Sequence, residues 1–297
     1  MAETTEVPIN GGARRLVGGA LALNTGLSVA AVAVYFATRS QLVLAQGSDS
    51  LLDIATGVVL ALSAWVGSQP RDENHPFGHD RAEPLGALIT AIFAGVLAFE
   101  VLRSALGALW AGDVARMDGY VAAVLGSKFA LKAGLFLLLV RRSSKARSSA
   151  LDALRVDTRN DLVACASSLL GFALARAGFA WADGALAVPV AFYIGASGFE
   201  LARDNIRYLM GEAPAAEVVV ELRALAEGVP GVLQLGRLRA QHVGQLLHVE
   251  VEIVVGTRLS VTGGHDIAVD VQRRLEEHPL VALAFVHVDT DDGIDHP

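Results

Sequence analysis

The sequence predicts an α-helical membrane domain of six transmembrane spans, followed by a cytoplasmic α+β domain of αββαβ order. Two observations predict this: composition shifts along the chain, and the hydrophobic period changes where it shifts. From about Leu16 to Tyr208 long apolar runs dominate, whereas Glu212 to Pro297 has the polarity of a water-soluble domain. Over the whole chain 53% of residues are apolar and 19% charged. Globular chains run at about 45–50% and about 25%, so a mixture of one lipid-facing block and one soluble block is implied. Cys165 is the single cysteine, which excludes a disulfide framework and a Cys-rich zinc module. A net charge of −7 argues against a nucleic-acid partner, because phosphate binding needs a basic face.

Six stretches of the first block, near 14–38, 41–67, 84–110, 117–140, 149–175 and 182–207, approach the roughly 20 residues that cross a bilayer. The first is not a cleavable signal, since it lacks a clear small-residue cleavage site and five further apolar stretches follow it. Six spans put both termini on one side. The basic residues Arg14, Arg15, Arg71, Arg81, Arg141, Arg142, Lys145, Arg147, Arg203 and Arg207 fall on that side, against Arg39, Arg116 and Arg176 opposite. Both termini are therefore expected in the cytoplasm. The expected divisions are a six-helix transmembrane domain over 1–211, a cytoplasmic domain over 212–290 and an acidic tail over 291–297. The cell's inner or plasma membrane is the expected location, with the bilayer itself as one partner.

The membrane block shows internal similarity. "GSDSLLDIATGVVLAL" resembles "RVDTRNDLVACASSLL", and "GALITAIFAGVLAFE" resembles "GALAVPVAFYIGASGFE", which matches Gly86 to Gly184 and Glu100 to Glu200. Three spans per unit would make an inverted repeat of the kind many transporters use, although small and apolar residues align readily by chance.

The tail changes period. "EVVVELRALAEGV" has helical spacing, "GVLQLGRLRAQHVG" and "QLLHVEVEIVVG" alternate as strands, "GGHDIAVDVQRRLEEH" is helical again and "LVALAFVHVD" ends as a strand. Helices would cover one face of such a sheet and leave the other for a partner, so dimerisation through the tail is expected.

Four carboxylates carry the chemistry. Asp49 and Asp53 lie four apart in the second span, and Asp157 and Asp161 four apart in the fifth, so each pair shares a helix face. Asp49 sits about 12 Å into its span if that helix begins near Gln41, and Asp157 is equally deep if the fifth begins near Ser149. One aspartate at that depth costs roughly 2.5–3.5 kcal/mol on insertion scales. A divalent cation accounts for four of them, because carboxylate oxygens bind it and are kept ionised by it. The alternative is that Asp49 and Asp157 cap helix starts.

With these residues in view, the chain resembles the cation diffusion facilitator family of divalent metal/proton antiporters. The resemblance runs over nearly the whole length: six spans, the "HPFGHDRAE" loop, the motifs Asp49-Ser-Leu-Leu-Asp53 and Asp157-Thr-Arg-Asn-Asp161, and a ferredoxin-like, metallochaperone-like tail. It implies a homodimer whose protomers alternate a metal site between the two sides in exchange for protons. Zinc-type members generally place a His where Asp157 stands, so the site here is all oxygen. Manganese suits carboxylate, carbonyl and water, whereas zinc prefers imidazole and thiolate. "DTRND" also looks like the manganese-transporting branch. Mn2+ therefore leads as cargo, Fe2+ follows, and Zn2+ or Cd2+ stand behind. Asn160 points about 100° away from Asp161 on an ideal helix and is left out of the ligand set. Cys165, one turn beyond Asp161, either approaches a soft metal or simply packs as a small hydrophobe.

Two further groups are candidates. Asp72, His75 and His79 fall within eight residues around Pro76 and Gly78, which would fold the loop tightly. The resemblance maps a loop metal site onto these three, a solvated loop being the alternative. It also maps Arg81 onto a dimer-stabilising ion pair whose acidic partner falls on Met210 here, leaving Glu212 or Asp204 as substitutes. In the tail the resemblance carries a metal cluster over to His265, His287 and Asp289. Glu250 stands at another ligand position, Gly236 replaces a further His, and His248 and His242 are near enough to compensate. His278 and His296 are read as incidental, and "DTDDGIDH" as a disordered acidic end. A non-transporting membrane sensor or scaffold is the rival from another class. An intramembrane metalloenzyme is weaker, since His-Glu-x-x-His spacing and Ser/Lys or Ser/His dyads are absent.

Overall fold

The structure is a computed structural model that describes residues 11–38, 41–111, 119–143, 148–179 and 181–291. It forms two compact units, Pro8–Ile206 and the chain from Arg207 onward. The expected acidic tail, His296 included, lies outside the described residues beyond Asp291.

Six long helices build the first unit: α1 (Gly11–Thr38), α2 (Gln41–Gly67), α3 (Ala82–Ala111), α4 (Gly119–Ser143), α5 (Ser149–Arg176) and α6 (Ala182–Leu209). The shortest has 25 residues, about 37 Å at 1.5 Å per residue, more than the hydrocarbon thickness of a bilayer. Among the described residues two stretches, Ala82–Gly107 and Gly184–Leu209, are long and apolar enough to cross a membrane by themselves. The reason α5 is not a third is visible in its sequence. Asp152, Arg155, Asp157, Arg159 and Asp161 crowd its first half.

The helices meet through small side chains. Val17 and Ala20, Leu60 and Ala64, Ala87 and Ala91, Leu135 and Leu139, Leu151 and Leu154, and Leu201 form one core drawn from all six. A Cβ on Gly86 would stand 2.3 Å from Ser63 Oγ, so only glycine lets α3 approach α2 this closely. Gly184 plays the same part against Leu109 of α3, where a Cβ would meet Cγ at 2.9 Å. The two glycines paired in the internal similarity thus both mark close helix crossings. Outward, Ile92, Val96 and Phe99 of α3 and Phe192 and Phe199 of α6 are exposed, as a lipid-facing surface requires.

One polar clamp ties the α2–α3 end to the start of α5. Ser148 Oγ donates to Glu83 Oε2 at 2.5 Å, and Ala150 N–H donates to the same oxygen at 3.4 Å. Leu151 N–H in turn donates to Ser148 Oγ. Glu83 and Ser148 together therefore satisfy two first-turn donors of α5, the role a cap normally fills.

The second unit holds α7 (Ala216–Glu227), β1 (Gln234–Val243), β2 (Leu246–Val255), α8 (Val261–Glu276) and β3 (Val281–Thr290), the order the period changes predict. The sheet runs β1-β2-β3, with β1 antiparallel and β3 parallel to β2. Odd-numbered residues of β2, Leu247 to Val255, are buried with Leu222 and Ala226 of α7 and Val271 and Leu275 of α8. Side chains alternate across a strand, so Arg239, Glu250, Glu252, Phe285 and His287 belong to the opposite face. Ser260 caps α8 by accepting from Gly263 N–H.

Candidate metal centre

The residues at issue sit on three helices. Asp49 and Asp157 each lie eight residues beyond the start of their helix, at Gln41 and Ser149, so neither caps a helix start. The side chain of Asp49 is outside the described part of α2. Asp53 and Asp161 are buried, and Asp157 is partly buried with Oδ2 fully enclosed.

The aspartates are not alone. Lys128 and Lys132, four apart on α4, turn the same way as Leu135 and Leu139 and are buried with them. Lys128 Nζ lies 3.2 Å from Asp53 Oδ2. Lys132 Nζ lies 3.6 Å from that oxygen and donates a short hydrogen bond to Asp161 Oδ2. One ammonium thus joins a carboxylate of α2 to a carboxylate of α5. Asp157 Oδ2 has no hydrogen-bond partner among the described residues. Charges buried in an apolar bundle must be compensated nearby, and α4 supplies the compensation.

Sequence reasoning missed both lysines, although the signal was there. They stand four apart inside the expected fourth span, in "SKFALKAGLFLL", and the cost argument applied to the aspartates applies equally to them.

The neighbours of the motif have other work. Asn160 Oδ1 accepts from Ser197 Oγ and links α5 to α6. Arg159 lies 5.5 Å from the ring centre of Tyr193. Cys165 is a buried free thiol.

The loop between α2 and α3 closes as its residue types suggest. Gly78 has φ +95°, which lets the chain reverse after Pro76. His75 N–H donates to Asp72 Oδ1 at 2.6 Å, and His75 Nδ1 lies 3.1 Å from the same atom. His79 Nε2 stands 3.5 Å from Asp72 Oδ2, and the two imidazoles are 4.4 Å apart between centres. One donor atom from each of Asp72, His75 and His79 falls within 4.8 Å of the others. The His75 amide, more than any other neighbour, holds the Asp72 carboxyl below its ordinary range. Nearby, burial pushes the Asp80 carboxyl up despite Arg71. This trio is the one group of three metal-capable side chains that closes among the described residues.

The tail candidates do not close in this way within one chain. His287 and Glu250 belong to the open face of the sheet, with Glu252 opposite His287 on the neighbouring strand. Asp289 continues that alternation at the end of β3. His265 is exposed near the start of α8, which packs on the other face. His248 is buried in β2, opposite Gln241. At Gly236, a Cβ would meet the Glu252 carboxylate at 2.9 Å, so Glu252 fills the space a histidine there would use. His278 instead approaches Glu221 at 3.4 Å. Of the proposed partners of Arg81, Glu212 is engaged by Arg207 and Asp204 lies 3.8 Å from Arg203. Met210 is exposed.

Buried carboxylates of two helices and two lysines of a third form one charged cluster inside a bundle with apolar outer faces. Comparison with known proteins gives the family. Residues 19–210 match the cation efflux transmembrane domain, and residues 214–291 match the cytoplasmic domain of cation efflux proteins. The chain belongs to the cation efflux family, and is an integral membrane transporter of divalent metal cations rather than an enzyme. Among its relatives is an uncharacterized transporter of Methanocaldococcus jannaschii, 28% identical over 269 residues, covering 91% of this chain and 95% of that one. The manganese efflux system protein MneS of Bacillus subtilis is 25% identical over 263 residues, covering 89% and 90%. The cation-efflux pump FieF of Shewanella oneidensis is 26% identical over 253 residues, covering 83% of each chain.

Proposed function

We propose that this protein expels Mn2+ from the cytoplasm in exchange for protons, binding the metal at Asp49, Asp53, Asp157 and Asp161. The observation that carries the reading is the pair of buried carboxylates, Asp53 on α2 and Asp161 on α5, that reach one ammonium between them. Both oxygens lie within 3.6 Å of that nitrogen, so acids of two helices already face one buried cation. The donor set is oxygen throughout, which favours manganese, and the manganese efflux relative supports the same choice. Fe2+ is the second reading, because it tolerates the same ligands and a site without imidazole or thiolate discriminates weakly between the two.

In this reading all six helices cross the bilayer, both termini are cytoplasmic and two chains associate through their tails. The membrane is the cell's inner or plasma membrane. Cytoplasmic metal binds the carboxylates, the bundle opens outward, and protonation of the same oxygens releases the cargo. Asp72, His75 and His79 serve as a cytoplasmic loop site. The open face of the tail sheet, with His248, Glu250, His287 and Asp289, and with His265 on α8, forms a metal-sensing surface that two chains complete.

The test is metal-dependent proton flux in proteoliposomes across Mn2+, Fe2+, Zn2+ and Cd2+. The wild-type protein should respond most strongly to Mn2+. Asp157→Ala should abolish the response while eluting as the same folded species, and a variant that still exchanges metal for protons would overturn the site.

A further inference from the structure

Charge compensation alone does not account for where the two lysines sit. Asp53, Asp157 and Asp161 carry three formal negative charges, and Lys128 and Lys132 return two positive ones. Lys132 is not a peripheral counter-ion. Its side chain is 1% exposed, and its nitrogen lies against one oxygen from α2 and one from α5. Those are the oxygens a dication would need. Lys128 differs, reaching Asp53 alone, from the edge of the cluster.

Two cations cannot hold the same lone pairs. A dication entering between Asp53 and Asp161 would meet the Lys132 ammonium at contact distance, in surroundings where charges are weakly screened. A lysine is suited to yield, since a compact charge on a flexible four-carbon stem swings aside where a planar guanidinium would stay fixed. A purely structural ion pair would need one acid partner, and Lys132 takes two from different helices.

We propose that Lys132 is the internal occupant of the metal site: its ammonium fills the site when cargo is absent, and the incoming dication must displace it. The inference rests on the four-aspartate reading above and adds a competitor to it. Two consequences follow. Cargo binds more weakly than the carboxylates alone would bind it, which favours release. The empty carrier keeps its helices drawn together by a cation of its own.

Equilibrium Mn2+ binding to the purified full-length protein tests this, in a His75→Ala/His79→Ala background that removes the loop site. Lys132→Met should tighten Mn2+ binding at least about tenfold, and Lys132→Arg should leave it weak. Lys128→Met should give a smaller gain. Unchanged or weaker binding by Lys132→Met overturns the proposal. Asp161→Asn in the same background separates the two layers. If it still binds Mn2+ normally, the four-aspartate site itself is wrong; if it loses binding while Lys132→Met gains none, the lysine inference alone fails. Should Lys132→Met not fold, the unaltered lysine reports directly. In protein carrying 13C-labelled lysine, with Lys132→Arg for assignment, Cd2+ should shift the Lys132 Cε signal as the ammonium leaves the carboxylates. A signal that stays put at saturating Cd2+ contradicts displacement.

Discussion

The two places where this chain gathers metal-capable side chains solve the same problem by opposite means. In the loop, Asp72 and His75 are exposed beside a half-buried His79, and solvent and a backbone amide stabilise the one carboxylate. In the bundle, Asp53 and Asp161 are buried, Asp157 is partly so, and Lys128 and Lys132 balance them. The loop can stand empty without cost, so it needs no internal cation. The bundle cannot, and its lysines are the mark of that difference. Solvent exposure, rather than the acidic residues themselves, decides whether a site must carry its own counter-charge.

The sharpest break of this contrast is to remove one of the buried charges. Asp161→Ala leaves the Lys132 ammonium with only its longer contact to Asp53 and should lower the thermal unfolding temperature in detergent. Adding Lys132→Met should restore most of that stability without restoring flux, a coupling absent if the pair is independent. A smaller effect concerns selectivity. Asp157→His puts an imidazole among the oxygens and should move Mn2+/Zn2+ competition toward zinc by about tenfold. Equal competition before and after would remove the donor-type argument for manganese. Smallest should be the loop. His79→Ala should weaken metal binding there, seen as a lost class of sites by calorimetry, while maximal flux changes less than about twofold. A collapse of flux would merge the two sites into one pathway.

Much of this architecture was legible before any coordinates. Asp49 and Asp157 fall eight residues inside helices that begin at Gln41 and Ser149, as the apolar runs predict. The tail was equally legible, because a sheet with one covered face imposes a period of two on β2 and the helices a period near 3.6. The loop was readable because three candidate ligands, one Asp and two His, fall within eight residues around Pro76 and Gly78. Sequence reading did less well with partnerships across elements. The cost of burying Lys128 and Lys132 is visible in the sequence, but their acid partners are not, since spacing along one helix says nothing about which neighbour it faces. The Glu83 clamp on Ser148 and Ala150, 65 and 67 residues away in sequence, is invisible for the same reason. The tail cluster carried over by resemblance does not close within one chain. Strand alternation puts His287 and Glu250 on the open face, while His265 rides on the helix layer.

Manganese located directly in the full-length protein tests the central claim. Anomalous scattering from Mn2+-bound crystals, or difference density in the bound state, should show an ion between α2 and α5, ligated by Asp53, Asp157 and Asp161 with Lys132 withdrawn. Manganese found only at Asp72, His75 and His79, with Lys132 still seated between Asp53 and Asp161, would contradict the account.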